Sequence, residues 1–555
     1  MSVALSEHLP LLATAPDGIQ KLRELILQMA VMGKLVPQDP NDEPASELLN
    51  RIAKERGRLE SEGIIKKTKP LMPVAEDEQP FSVPDGWAWV RVATLGNTQT
   101  GTTPSKSESS LFGNDVPFIK PGDISAHGVD YENEGLSHQG ALDSGRLAEA
   151  GSILMVCIGT IGKCSVIDRR CSFNQQINSV TPFIDVSQFA FNVFRSSYFQ
   201  REAWARSSST TIAILNKGNW ELIPVPLPPL PEQHRIVAKV DELMALCDRL
   251  EAEQSDAESA HARLVEALLG TLAQSTDAAD LASNWQRIAE HFDTLFTTEG
   301  SVDALKKSIL QLAVMGKLVP QDPTEGTAGD LVERINGVRE TKAANGLTKK
   351  IKSLPLLHND ARPTYAPAHW VWVRLGAIID LISGQHLTPD EYVDDLTATI
   401  PYLTGPAEFG PVFPMPTRST NQTRAVSVLG DILLTVKGSG VGKINRVVQD
   451  RIAISRQLMA IRPVVVGSDF IELVLRSAER HFQAQTVGIA IPGIGREDVQ
   501  MLSIGLPPLG EQKRIVAKVD ELMVLCDRMK ADLREARCQQ SRLAETLIET
   551  ALEAA

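Results

Sequence analysis

The chain repeats itself, and that repeat restricts its fold more than any other feature. LRELILQMAVMGKLVPQDP at 22–40 returns as LKKSILQLAVMGKLVPQDP at 305–323, and LPEQHRIVAKVDELMALCDR at 230–249 returns as LGEQKRIVAKVDELMVLCDR at 509–528. The spacing between copies is nearly the same for both blocks, so one long unit has been duplicated. Between the blocks the copies diverge. Both intervals open alike, with PDGWAWVRV at 84–92 and PAHWVWVRL at 367–375, and both hold a later strand-like run, GSILMVCIGTIGK from Gly151 and GDILLTVKGSGVGK from Gly430. Near-identical frames around dissimilar interiors imply a shared mechanical role for the frames and a separate, specific role for each interior.

The block after each interior has the period of a long amphipathic helix. Pro231 or Gly510 stands near its start, with Glu232 and Gln233, or Glu511 and Gln512, in the first turn. Ile236, Val240, Leu243, Cys247 and Leu250 alternate spacings of four and three, as do Ile515, Val519, Leu522, Cys526 and Met529, which makes a coiled-coil seam in each copy. The pattern continues to about Gly270 in the first copy and to the C-terminus in the second, giving helices of roughly 40 residues and about 60 Å. The economical expectation is that the two seams pack against each other; the alternative is that each packs on its own domain.

The interiors, about 81–226 and 364–505, are rich in Val, Ile, Gly and Pro in short alternating runs, the pattern of mixed α/β domains built on short strands. The polar stretches 57–79 and 337–362 read as linkers. The expected organisation is a conserved helical region at 1–80, a first variable domain at 81–229, a central conserved region at 230–363, a second variable domain at 364–508 and a conserved helix at 509–555. The fold class is α+β, a pseudo-twofold tandem repeat.

A chain of 555 residues has room for about three or four domains. Its 43% hydrophobic and 23% charged content is that of a soluble globular protein, and no apolar run approaches the roughly 18 residues of a membrane span. Residues 1–17 show no basic leader followed by an apolar stretch and a cleavage site, so the cytoplasm is the expected location. Cys157, Cys164, Cys171, Cys247, Cys526 and Cys538 form no C-x-x-C pair or zinc-like cluster, and no metal site is expected. Cys247 and Cys526 fall on the seams and read as small buried hydrophobes. The net charge of −13 argues against nucleic acid, because Lys and Arg dominate affinity for DNA. A DNA-binding reading therefore needs a local basic surface, or a partner that supplies the phosphate contacts.

On GKLVPQ at 33–38 and 316–321, and on L-P-P-L-x-E-Q-x-R-I-V at 227–237 and 506–516, the chain resembles the specificity (S) subunit of type I restriction-modification enzymes over its whole length. The resemblance implies that the two variable domains are target recognition domains, each reading one half of an asymmetric, interrupted site in double-stranded DNA. It implies that the long helices form an antiparallel pair that sets the separation of the domains and docks two methyltransferase subunits. Those subunits would hold S-adenosylmethionine and methylate adenine, and restriction subunits using ATP and Mg2+ would join them.

No catalysis is expected from this chain. GSGVGK at 438–443 has too few residues between its glycines for a phosphate loop and lacks the Ser or Thr after the lysine. There is no N/D-P-P-aromatic signature, and no strand followed by a G-x-G that would hold S-adenosylmethionine. A two-headed protein-binding scaffold is the rival reading, which the acidic balance would suit.

Direct readout needs side chains that donate or accept at base edges, Arg favouring guanine and Asn or Gln favouring adenine. In the first domain the candidates are Thr102, Thr103 and Ser105, Thr160 and Lys163, Asn174, Gln175 and Gln176, Arg206, Ser208, Ser209, Thr210, Thr211 and Lys217. In the second they are Lys437, Ser439, Lys443, Asn445, Arg456, Gln457 and Arg496, the last at the position equivalent to Lys217. Ordinary surface polarity competes at each of them. Trp87, Trp89, Trp370 and Trp372 recur in both copies and read as core packing at the entry to each domain rather than as base-stacking platforms.

Overall fold

The structure, a computed structural model, describes residues 12–67, 71–105, 107–125, 128–144, 146–208, 212–346, 367–487 and 492–554. The chain divides into two compact units, Met1–Asp256 with Ala536–Ala555, and Ala257–Glu535. Four helices carry the repeated blocks: α1 Gly18–Val31, α2 Leu230–Gln274, α3 Glu299–Val314 and α4 Leu509–Ala554. The long ones, α2 and α4, run 45 and 46 residues. Gly270 does not end α2, since a glycine inside a helix costs only about 1 kcal/mol and the helix continues to Gln274.

In the first unit Leu22, Leu25, Ile26 and Met29 of α1 are buried with Ile236, Val240, Leu243 and Cys247 of α2, and with Ala544 from the last turns of α4. The second unit repeats this arrangement. Leu305, Ile309 and Leu312 of α3 are buried with Ile515, Val519 and Cys526 of α4, and with Val265, Leu269 and Leu272 from the end of α2. Leu250, Leu522 and Met529 are partly buried at the margins of these cores. The expectation that the seams face each other is therefore corrected: they lie in separate cores, each under the repeated helix of its own unit. The reason is the apolar face of ILQMAV and ILQLAV, which needs cover and has the seam of its own copy within reach.

Both repeated helices end in the same way. Lys34 N donates to Met29 O at 2.9 Å and Gly33 N to Ala30 O at 3.4 Å, and Lys317 and Gly316 make the matching bonds to Leu312 and Ala313 at 3.0 and 3.2 Å. This Schellman closure needs a left-handed residue, and Gly33 and Gly316 both have φ +71°. The open face of each glycine is filled by Pro84 and Trp87, or by Pro367 and Trp370. Trp87 and Trp370 are thus core residues, while Trp89 and Trp372 are partly buried.

The linkers are shorter than expected. Residues 57–61 belong to the helix Ala45–Ser61, and 337–344 to the helix Ala328–Ala344, which buries Leu331 and Ile335 and opens on the capping pair Thr327 and Asp330. Residues 347–362 of the second stretch lie outside the described residues.

Each interior is a pair of packed sheets. In the first unit Gly96–Thr100, Ile177–Pro182, Ile153–Val156 and Cys164–Val166 form one, in that spatial order; Gly135–Leu136, Phe112–Ile119, Cys171–Phe173 and Leu147–Ala148 form the other. Ile153–Val156 is buried on both faces: Ile153 and Met155 join the core with α1 and α2, while Leu154 and Val156 join the core between the sheets. The counterpart Ile432–Thr435 divides in the same way, with Ile432 and Leu434 on one side and Leu433 on the other. A strand covered on both faces reads as a continuous apolar run, as both sequences do. A two-stranded ribbon joins the start of each interior to its end, Trp89 opposite Pro226 and Trp372 opposite Gly505.

Candidate nucleic-acid interface

Both interiors present the same backbone turn at the edge where their sheets meet. In the first unit, strand Cys171–Phe173 of one sheet passes through Asn174, Gln175 and Gln176 into strand Ile177–Pro182 of the other. Ile177 N donates to Asn174 O at 3.1 Å, and Gln176 N donates to Asn174 Oδ1 at 3.1 Å, an Asx turn. In the second unit Leu458 N donates to Ser455 O at 2.9 Å and Gln457 N to Ser455 Oγ at 3.2 Å. Asn174 and Ser455 are buried and act as the pins of the turn. Gln175 and Arg456 stand exposed at its tip.

The flanking loops dock on this turn through matching bonds. Thr102 N donates to Phe173 O and Gln385 N to Ile454 O, both at 3.0 Å; Cys157 N donates to Gln176 O at 2.7 Å and Val436 N to Gln457 O at 2.8 Å. Gly159 N reaches Ala213 O at 2.9 Å, and Gly438 N reaches Pro492 O at 2.8 Å. Gly101 and Gly384 permit the approach, because a Cβ there would lie 2.1 Å from Asn174 O or 1.9 Å from Ser455 O. One set of main-chain contacts thus holds two different sets of side chains.

The structure gathers Thr102, Thr103, Gln175, Gln176 and Ser208 at this edge of the first unit, and Lys437, Arg456 and Gln457 at that of the second; Thr160 and Ser439 are exposed and follow the docked Gly159 and Gly438. Thr103 Oγ1 donates to Gln175 Oε1, and Asn174 Nδ2 donates to Gln176 Oε1 at 3.1 Å. Ser208 pairs with Ile214 through main-chain bonds at 2.9 Å in both directions. Lys437, Arg456, Gln457, Val487 and Gly493 line an open cleft of about 470 Å3. Lys437, Lys443 and Arg456 are exposed, and their side chains have no hydrogen-bonding or ionic partner among the described residues.

Other candidates are engaged inside their domains. Lys163 Nζ donates to Pro121 O at 3.0 Å, Arg206 Nε to Glu202 at 3.1 Å and Lys217 Nζ to Glu221 at 2.5 Å. Arg496, at the position of Lys217, donates to Ser383 Oγ at 2.7 Å and Leu381 O at 2.9 Å. Asn445 Oδ1 accepts from Arg446 N at 2.7 Å, and Ser105 Oγ lies 2.7 Å from Ser107 Oγ. Ser209, Thr210 and Thr211 lie outside the described residues. Sequence reading missed Gln385 and His386, exposed counterparts of Thr102 and Thr103, and the apolar rim residue Val487, which is 81% exposed. The glycine that ends the preceding strand in both copies was the available signal for the first two.

Where each interior meets its long helix, a buried glutamate closes the joint. Glu232 accepts from Trp87 Nε1 at 2.9 Å and Gln38 Nε2 at 3.1 Å. Burial holds its carboxyl above the usual range, against the opposing pull of those two bonds. In the second unit Glu511 accepts from Gln321 at 3.4 Å and pairs with His369 Nε2 at 2.7 Å, and the indole of Trp370 has no hydrogen-bond partner among the described residues. The identical GKLVPQ and E-Q motifs are thus one contact, made twice: the glutamine of the loop grips the first-turn glutamate of the helix.

A family model described as the type I restriction modification DNA specificity domain matches residues 84–258. The specificity subunit of type I restriction enzyme EcoAI of Escherichia coli is 34% identical, over 96% of this chain and 94% of its own length. That of EcoEI, also from Escherichia coli, is 33% identical over the same shares. The crystal structure of the HsdS subunit from Thermoanaerobacter tengcongensis is 21% identical and covers 85% of this chain and 98% of its own, with a TM-score of 0.40. The rival reading as a protein-binding scaffold gains no support from these relatives. On near full-length identity to two such subunits, the chain belongs to the family of type I restriction-modification DNA specificity subunits.

Proposed function

We propose that this chain is the DNA reader and assembly hub of a type I restriction-modification complex, with heads at 81–229 and 364–508 that each read one half of an interrupted, asymmetric site. The observation that carries this is the conserved backbone edge with exchanged side chains, Thr102, Thr103 and Gln175 in one head against Gln385, His386 and Arg456 in the other. Two readers built on one scaffold but bearing different donors and acceptors suit an asymmetric target. The frames at 1–80, 230–363 and 509–555, with α2 and α4 as an antiparallel pair, dock two adenine methyltransferase subunits, and restriction subunits join them. The chain itself performs no bond-making step. S-adenosylmethionine belongs to the methyltransferase subunits and ATP with Mg2+ to the restriction subunits, in the cytoplasm.

The acidic balance is compatible with this role. Specificity requires a few base contacts, whereas most phosphate contacts can come from partner subunits. The test is selection from a pool of random duplexes by the full chain co-purified with its modification subunits. Two short conserved motifs at a fixed separation are expected; recovery of no motif at low salt overturns the reading.

A further inference from the structure

We infer that the tip of the duplicated turn is a specificity-determining position, and that Arg456 reads a guanine in one half-site while Gln175 reads an adenine in the other. The inference rests on the DNA-reading function proposed above. Its first support is equivalence: Gln175 and Arg456 occupy the same place in turns closed by the same pair of bonds, Asn174 to Gln176 and Ile177, and Ser455 to Gln457 and Leu458. A scaffold held this closely on both sides fixes where the tip side chain starts. What differs between the copies is the chemistry presented.

The second support is availability. Arg456 is exposed at the mouth of the cleft that it shares with Lys437, Gln457 and Val487, and has no partner among the described residues. Its planar fork can donate to guanine O6 and N7 together, which a lysine cannot reproduce. Lys437 stands in the same cleft and brings positive charge close to the backbone of a bound duplex. In the first head Gln175 has its amide oriented by Thr103, whose hydroxyl donates to Oε1. That bond occupies one lone pair of Oε1. The second lone pair of Oε1 and the Nε2 donor can then meet adenine N6 and N7 in the pattern that amides use.

Four other candidate cations are poorer readers. Lys163, Arg206, Lys217 and Arg496 donate to groups of their own domain, and a base would have to displace those bonds. The turn tips share geometry between the two heads, differ in chemistry and keep donors for a ligand.

The experiment uses the full chain with its co-purifying modification subunits and a pool of random duplexes, comparing wild type with Arg456→Ala, Arg456→Lys and Gln175→Ala. Arg456→Ala should lower the preference for one guanine in one half-site by roughly tenfold or more and leave the other half-site intact. Arg456→Lys should fail to restore that preference, because the bidentate fork is lost. Gln175→Ala should relax one adenine in the opposite half-site. If Arg456→Ala weakens binding uniformly and changes no base preference, or if Arg456→Lys restores wild-type preferences, the arginine is a phosphate contact and the inference fails while DNA reading stands. If wild type enriches no motif, DNA reading fails as well. Thermal unfolding of each variant confirms that these exposed substitutions leave the fold in place.

Discussion

Arg91 and Glu78 show how a single pair can convert a linker into part of a domain. The guanidinium of Arg91 is buried, donates to Glu78 Oε2 at 2.6 Å and Oε1 at 3.0 Å, and also reaches the carbonyls of Leu222, Met72 and Pro73. The arginine hydrogen bond, followed by the Ala75 amide, holds the Glu78 carboxyl at about 2, well below its ordinary 4.5. A carboxylate depressed in this way contributes stability above its ordinary value and loses it as pH falls through the folded one. The stretch 71–79 should therefore stay protected from hydrogen exchange at pH 5 and be released as pH falls from about 4.5 toward 2. In Glu78→Gln that acid-dependent release should disappear, with the stretch already exchanging faster at neutral pH. An acid profile in Glu78→Gln identical to wild type would show that the pair does not anchor the segment.

At the level of elements, the period of the sequence revealed α2 and α4 and the buried side of each, but not what covers that side. Ile236, Val240 and Cys247 were legible as a stripe because burial imposes a spacing on the helix that carries it. Nothing in a spacing names the partner, and the cover that α1 and α3 give the seams is a tertiary contact. The same division holds at the proposed reading edge. Asn174, Gln175 and Gln176 were conspicuous as a polar run between apolar ones, yet only the folded turn separates the buried pin from the exposed tip. Gln385 and His386 were passed over because the copies have drifted and their equivalence lies in main-chain bonds. The seam itself makes a quantitative expectation. Ile236→Ala and Ile515→Ala, at positions with no solvent exposure, should each cost about 2–5 kcal/mol in chemical denaturation. Asp241→Ala, exposed on the opposite side of α2, should stay within about 0.5 kcal/mol. Comparable losses at all of them would mean that the stripe is not where the unit is held together.

For the whole molecule, the consequence of duplication is that both units depend on both long helices. α2 starts in the first unit and contributes Val265, Leu269 and Leu272 to the core of the second; α4 starts in the second and contributes Ala544 to the core of the first. Between those cores the helices carry little apolar cover: residues 251–260 of α2 are all exposed, and so are residues 534–540 of α4. A helical stretch with no core to fill can be shortened with less penalty than one that has a core. Removing seven residues shortens a helix by about 10 Å and turns its remaining faces by only about 20°, so the seams keep their orientation. Deleting 252–258 from α2 and 534–540 from α4 together should therefore leave both cores folded. If the helices set the distance between two reading heads, the permitted gap in the selected DNA should shorten by about three base pairs, at roughly 3.4 Å each. The base preferences within each half-site should not change, because Gln175 and Arg456 belong to turns that the deletion does not touch. Selection of the wild-type gap by the double deletion would show that the long helices do not act as the spacer. A changed half-site at an unchanged gap would place the sequence information in the helices instead of in the heads.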